Sequence, residues 1–258
     1  MIRNTFSILQ GIGEKTELKL WQTGIHTWDD FLAAKKINFI SPGKKNLYDT
    51  TLRQVSRRLD EKDFRFFSGF LKSRDHWRLY PRLKDKAVAL DIETNGFMPP
   101  SGGYVTVVGL YDGCDYTSLV KGENLTARRL QQELSRYTYL ITFYGASFDM
   151  PFLQESLGVS FSGLHFDLCF GAKKAGLKGG LKKLEDMLQV PREESVQGLN
   201  GYDAVKLWRE AKRGNSHARE RLITYNRCDT VNLFSIADQL YDRLRRQTGV
   251  DIAHTYNL

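Results

Sequence analysis

A chain of 258 residues with 41% hydrophobic and 26% charged residues has apolar material for a sizeable core and reads as a globular protein. Lys, Arg, Asp or Glu interrupts every apolar run well short of the ~20 residues of a membrane span, and the opening MIRNTFSILQGIG lacks a signal-peptide core, so a cytoplasmic location without membrane association is expected. The formal net charge of +8 lies in the first third, where residues 1–86 hold 18 Lys+Arg against 10 Asp+Glu while residues 87–258 hold 20 of each; the partner this suggests is a polyanion, unless the basic surface serves solubility alone.

Apolar residues recur at spacings of three and four over Glu14 to Trp21, Thr27 to Ala34 and Leu47 to Leu59, which predicts a small α-helical module over residues 1–85. HWRLYPRLKDK reads as an ordered connector into a second domain, residues 86–258. There AVALDIE (87–93), YVTVVGLYD (104–112) and DYTSLVKG (115–122) predict three strands, the last two joined by a tight Gly113-Cys114 turn as an antiparallel hairpin. A helix over Leu125 to Tyr137 precedes a short apolar strand, TYLITFYG (138–145). A fifth strand near Leu164 to Leu168 and helices from Leu181, Tyr202 and Ala218 complete an α/β layer. Three meandering strands followed by βα units predict an RNase H-like mixed five-stranded sheet flanked by helices, in preference to a doubly wound one.

Alternation in AVALDIE puts Ala87, Ala89, Asp91 and Glu93 on one face. Two acids ~7 Å apart along a strand repel unless a cation lies between them; the alternative is a strand end with two surface acids. On the last long helix, Leu222, Tyr225, Asp229, Leu233, Ile236 and Leu240 share a face on which Asp229 is the single charge. A carboxylate in such a stripe needs a metal or a hydrogen-bonded partner. Tyr225, one turn earlier, points the same way. Asp149, two residues before Pro151, reads as a helix N-cap or as a carboxylate at a strand's carboxyl end.

The order Asp-x-Glu, then Phe-Asp, then Tyr-x-x-x-Asp resembles the DEDD exonuclease superfamily in its tyrosine-bearing branch. The matching residues are Asp91 and Glu93 in DIETNG, Asp149 in SFDMP, and Tyr225 and Asp229 in YNRCD; Thr224 stands where the other branch carries His. KGGLKKLEDMLQV, GLNGYDAVKLW and YNRCDTVNLFSIADQL extend the similarity to YprB-type exonucleases over about residues 86–245. Tyr144 departs from the Asn common at its position.

The resemblance implies a 3′→5′ exonuclease that releases nucleoside 5′-monophosphates from DNA or RNA with two divalent cations, Mg²⁺ or Mn²⁺. It also implies the ligand roles: Asp91 bridging the ions, Glu93 and Asp229 on the nucleophile side, Asp149 supporting the second ion through water, and Tyr225 orienting the attacking water. A structure-selective endonuclease, or a binding protein that retains the cleft without catalysis, uses the same residues.

SILQGIGEKTELKLW resembles half of a helix-hairpin-helix, in which Gly11, Gly13 and Lys15 would meet a nucleic-acid phosphate; a plain turn into a helix is the alternative. Lys173, Lys174, Lys178, Lys182 and Lys183 read as a solvated face or, placed after the fifth strand, as cations beside the substrate cleft, Asp167 as a cap or core-edge acid, His165 and His217 as structural, and the four tryptophans as packing. Cys114, Cys169 and Cys228, odd in number and far apart, read as buried thiols with neither a disulfide framework nor a zinc knuckle.

Overall fold

The computed structural model describes residues 1–250 and divides into two compact units: residues up to Pro81 together with the chain from Tyr241, and Arg82–Leu240. No helix among the described residues is long and apolar enough to cross a membrane.

The first unit is helical: α1 (Glu14–Gln22), α2 (Trp28–Ala33), α3 (Pro42–Asp60), α4 (Phe64–Phe70) and the short α5 (Tyr80–Leu83), where the chain passes out of it. Thr27 starts α2 with a capping box, accepting from the Asp30 amide while the Asp30 side chain accepts from the Thr27 amide. Ser41 caps α3, with Pro42 at its first position. Trp21, Trp28 and Trp77 are all buried. An ion pair lies among them: Glu17 accepts from the amides of Phe6 (2.6 Å) and Ser7 (3.0 Å) and from both terminal nitrogens of Arg78 (3.0 and 2.8 Å). Those bonds offset the desolvation of two charges that hardly touch water.

The second unit is built on a five-stranded sheet in the order β3-β2-β1-β4-β5, formed by β1 (Ala87–Thr94), β2 (Val105–Tyr111), β3 (Tyr116–Val120), β4 (Tyr139–Thr142) and β5 (Leu164–Asp167). β1 to β3 are antiparallel, whereas β4 and β5 run parallel to β1. The expected mixed sheet is the one present. Around it lie α6 (Ala127–Ser135), α7 (Asp149–Leu157), α8 (Leu168–Lys174), α9 (Leu181–Leu188), α10 (Gly201–Ala211) and, as far as Leu240, α11 (Ser216–Thr248).

Both faces of the sheet are covered, which explains why β1 is apolar without alternation from Ala87 to Leu90. Val88, Leu90 and Ile92 pack with Leu130 and Leu134 of α6 and Phe152 and Leu153 of α7. On the other face Val107 and Val120 pack with Trp208 of α10 and with Leu222, Tyr225 and Cys228 of α11. Alternation therefore sends Asp91 and Glu93 toward the face that receives α11, and the solvent-facing strand end does not occur. Of the three cysteines Cys228 is buried and Cys169 partly so, but Cys114 is exposed, because it sits in the hairpin turn where Gly113 takes a φ of +101°. His165 hydrogen-bonds Thr142 across β4 and β5 (2.8 Å), a structural contact.

Candidate metal centre

The site starts from a pleat and a gap in the sheet. Asp91 on β1 pairs with Gly109 on β2, so its neighbour there has no side chain. Asn226 of α11 occupies that gap: a Cβ on Gly109 would lie 2.2 Å from its Oδ1 and 2.3 Å from Thr230 Oγ1. From there Asn226 Nδ2 donates to Asp91 Oδ2 (2.9 Å), and its Oδ1 accepts from the Tyr116 hydroxyl (2.8 Å). The pairing register then shifts between Glu93 and Thr94, just past the second acid.

Asp91, Glu93 and Asp229 each bring a carboxylate oxygen within 4.8 Å of the others, a group that can hold a metal ion. Asp91 is partly buried, and Glu93 and Asp229 are 7% and 5% exposed. Asp149 joins from α7. It is the first residue of that helix rather than its N-cap, a place taken by Phe148, and its Oδ1 accepts from the amide of Ile92, between the two β1 acids (3.2 Å).

The charges are crowded, and their protonation shows it. Burial, then the charges of Glu93, Asp229 and Asp149, hold the Asp91 carboxyl well above the usual carboxylate range. Burial and then Asp229 do the same for Glu93. Burial pushes Asp149 up to about 7, against backbone hydrogen bonds that pull it down. Asp91, Glu93 and Asp149 packed this way remain ionised together only when positive charge is supplied.

Two cations supply part of it. Lys182 Nζ donates to Asp229 (2.7 and 3.1 Å) and to the Tyr225 hydroxyl (2.7 Å), and lies 4.4 Å from the Tyr225 ring centroid. Arg192 reaches Asp229 (2.5 Å) and Glu185 (2.8 Å), and Asn232 donates to the same Glu185 (2.8 Å). Lys182 is thus not part of a solvated lysine face, whereas Lys173, Lys174, Lys178 and Lys183 are exposed. Burial, then the charges of Asp229, Glu93 and Asp91, raise the Tyr225 phenol, so it stays protonated.

Asp167 closes the neighbouring loop. It caps α8 through the Cys169 amide (3.0 Å) and also accepts from the amides of Tyr144 and Ala146 (2.9 Å each). Gly11, Gly13 and Lys15 belong to the first unit, where Gly11 has a φ of +84°, Gly13 precedes α1 as its N-cap and Lys15 is exposed.

Arg192, Glu185 and Asn226 escape a reading based on the acids alone. Glu185 carries a signal, since it shares an apolar stripe with Leu181, Leu184 and Leu188, the pattern that singles out Asp229. Arg192 and Asn226 carry none until the fold brings them to the acids.

Compared with known proteins, the chain is matched over residues 88–241, more than half its length, by the family model described as RNase_H superfamily. A search of curated proteins finds no match.

Proposed function

Because the chain belongs to the RNase H superfamily, we propose that it is a divalent-metal-dependent 3′→5′ exonuclease of the tyrosine-bearing DEDD type, releasing nucleoside 5′-monophosphates from DNA or RNA. The observation that carries this reading is the convergence of Asp91, Glu93 and Asp229, whose carboxylate oxygens lie within 4.8 Å of one another. Their donor chemistry fits the ion: hard carboxylate oxygens, with no His or Cys among them, suit Mg²⁺ or Mn²⁺.

Asp91 would bridge two ions, Glu93 and Asp229 would complete the nucleophile-side one, and Asp149 would support the other through water. When bound, the ions supply an activated water and stabilisation of the leaving 3′ oxygen. Tyr225 works beside them as a protonated phenol. Its oxygen already accepts from Lys182, which leaves its own hydrogen to aim at the attacking water. In the first unit, the turn at Gly11 and Gly13 with exposed Lys15 is the proposed phosphate contact.

End-labelled linear strands and closed circles, as DNA and as RNA, incubated with Mn²⁺, test the reading. Linear strands should shorten stepwise from the 3′ end while circles survive. Cut circles would make the protein an endonuclease, and tight binding without cleavage of any strand would make it a binding protein.

Lys182→Met has a less obvious consequence. The ammonium competes with a metal ion for Asp229, so its removal should tighten Mn²⁺ binding about fivefold by calorimetry. Turnover should fall in the same variant, because the Tyr225 hydroxyl loses the donor that fixes its orientation.

A further inference from the structure

Tyr144 has a φ of +66°, a left-handed conformation that L side chains other than Asn and Asp seldom adopt. Packing does not account for it, since Tyr144 is 50% exposed. The strain is nonetheless imposed firmly. Asp167 takes the amides of Tyr144 and Ala146, the Tyr144 carbonyl accepts from the amides of Ser147 and Phe148 (3.1 Å each), and Gly145 is held to Thr142 Oγ1 (3.1 Å). A rigid, strained loop that ends in an exposed ring is a feature whose use lies outside the protein's own core.

Its surroundings indicate what the ring meets. Tyr144 follows the carboxyl end of β4, which runs parallel to β1 with Ala89 beside Ile141, so the loop begins about one strand spacing from the Asp91–Glu93 segment. Asp149 lies at the far end of the same loop. Phe170 of α8, 48% exposed, has its ring centroid 6.3 Å from that of Tyr144 at an interplanar angle of 42°, so the two rings are not closed upon each other. One turn further along α8 stand exposed Lys173 and Lys174. Two exposed rings, with cations a turn further along α8 and a loop that starts beside the strand of Asp91 and Glu93, offer both the stacking faces and the charge that bases and phosphates of a single strand require.

We propose that Tyr144 and Phe170 form a stacking platform for a nucleobase at or next to the 3′ end, with Lys173 and Lys174 facing the phosphates that follow. This rests on the nuclease reading above and adds to it a substrate subsite specific to a single, unpaired end. The tyrosine exchanges backbone comfort for a base contact. Asn, which accepts a left-handed backbone, should reverse that exchange.

The test uses the full chain with Ca²⁺ in place of Mn²⁺ and two oligonucleotides, one with intact 3′-terminal bases and one with abasic 3′-terminal positions. For the intact protein, 2-aminopurine at the 3′ end should be quenched on binding. Tyr144→Asn should raise or preserve the melting temperature, weaken binding of the intact strand about tenfold, and leave binding of the abasic strand unchanged. Phe170→Ala should weaken the same strand, less than additively with Tyr144→Asn, and Tyr144→Phe should restore binding. An unchanged affinity for the intact strand in Tyr144→Asn, or an equal loss on both strands, would overturn the platform. Cleavage in Mn²⁺ separates the two ideas: if the intact protein degrades strands while Tyr144→Asn binds like it, only the platform fails, whereas an intact protein that neither binds nor cuts any strand removes both.

Discussion

Asp91→Asn is expected to lower cleavage by at least about 10³-fold and, in the absence of metal, to make the protein more stable. The first effect follows from the place of Asp91 in the group with Glu93 and Asp229: a neutral amide there removes the ligand assigned to both ions, and metal stabilisation of the transition state is worth several kcal/mol. The second follows from crowding. Asp91 and Glu93 have carboxyls held well above their ordinary range, and that of Asp149 is raised to about 7, so the folded protein binds protons here that the unfolded chain would release. Stability from such groups is fully present below their unfolded values near ~4 and is lost as pH rises through the folded values.

The metal-free melting temperature should therefore fall between about pH 4 and 7, and saturating Mn²⁺ should recover most of the loss, since the ion replaces the missing protons. Asp91→Asn should flatten the profile and raise the midpoint at pH 8 by about 2–4 °C, equivalent to ~1 kcal/mol in a domain of this size. Thermal melts with EDTA and with Mn²⁺ across that range check both halves. A profile that is flat in the intact protein and indifferent to Mn²⁺ would mean that the acids do not share a charge problem.

That Asp91, Glu93 and Asp229 meet follows from two local rules: period-two alternation on β1, and the three-four stripe on α11 in which one charge interrupts an apolar line. Both hold because buried faces impose them residue by residue. The strands were readable for the same reason, with ends shifted by a residue or more where turns take over. What escapes these rules is non-local. Asp149 looks like a helix cap in sequence, but Phe148 takes that place and the carboxylate reaches across to the Ile92 amide, a contact that no spacing encodes. Lys182 sits in a run of lysines whose charge suggests solvent, and only the placement of α9 near α11 turns it toward Tyr225. The left-handed backbone of Tyr144 has no signature in its own residue type; it is set by the Asp167 carboxylate, 23 residues away.

Asn226 illustrates the same limit and is expected to be the most sensitive residue outside the acids. It is fully buried and joins three elements: Tyr116 on β3 donates to it, it donates to Asp91 on β1, and it enters the sheet only because position 109 on β2 is glycine. The amide fixes which Asp91 oxygen is free, since Oδ2 is engaged by Nδ2. Outer partners of this kind commonly set 10- to 100-fold of metal affinity or activity. Asn226→Ala should weaken Mn²⁺ binding by about that factor and reduce kcat more than it raises KM, because the substrate-binding surface is untouched. Tyr116→Phe, which leaves the direct bond to Asp91 in place, should lose less. Gly109→Ala should damage the site from the opposite side: its new methyl cannot coexist with Asn226 Oδ1 and Thr230 Oγ1, so α11 must shift, at a cost of about 1–3 kcal/mol. Calorimetric Mn²⁺ titration, steady-state kinetics and melting curves on the three variants discriminate the roles. A purely structural asparagine would lower the melting temperature and leave the metal dissociation constant and kcat of the folded fraction where they were, whereas a positioning asparagine moves both in protein that remains folded.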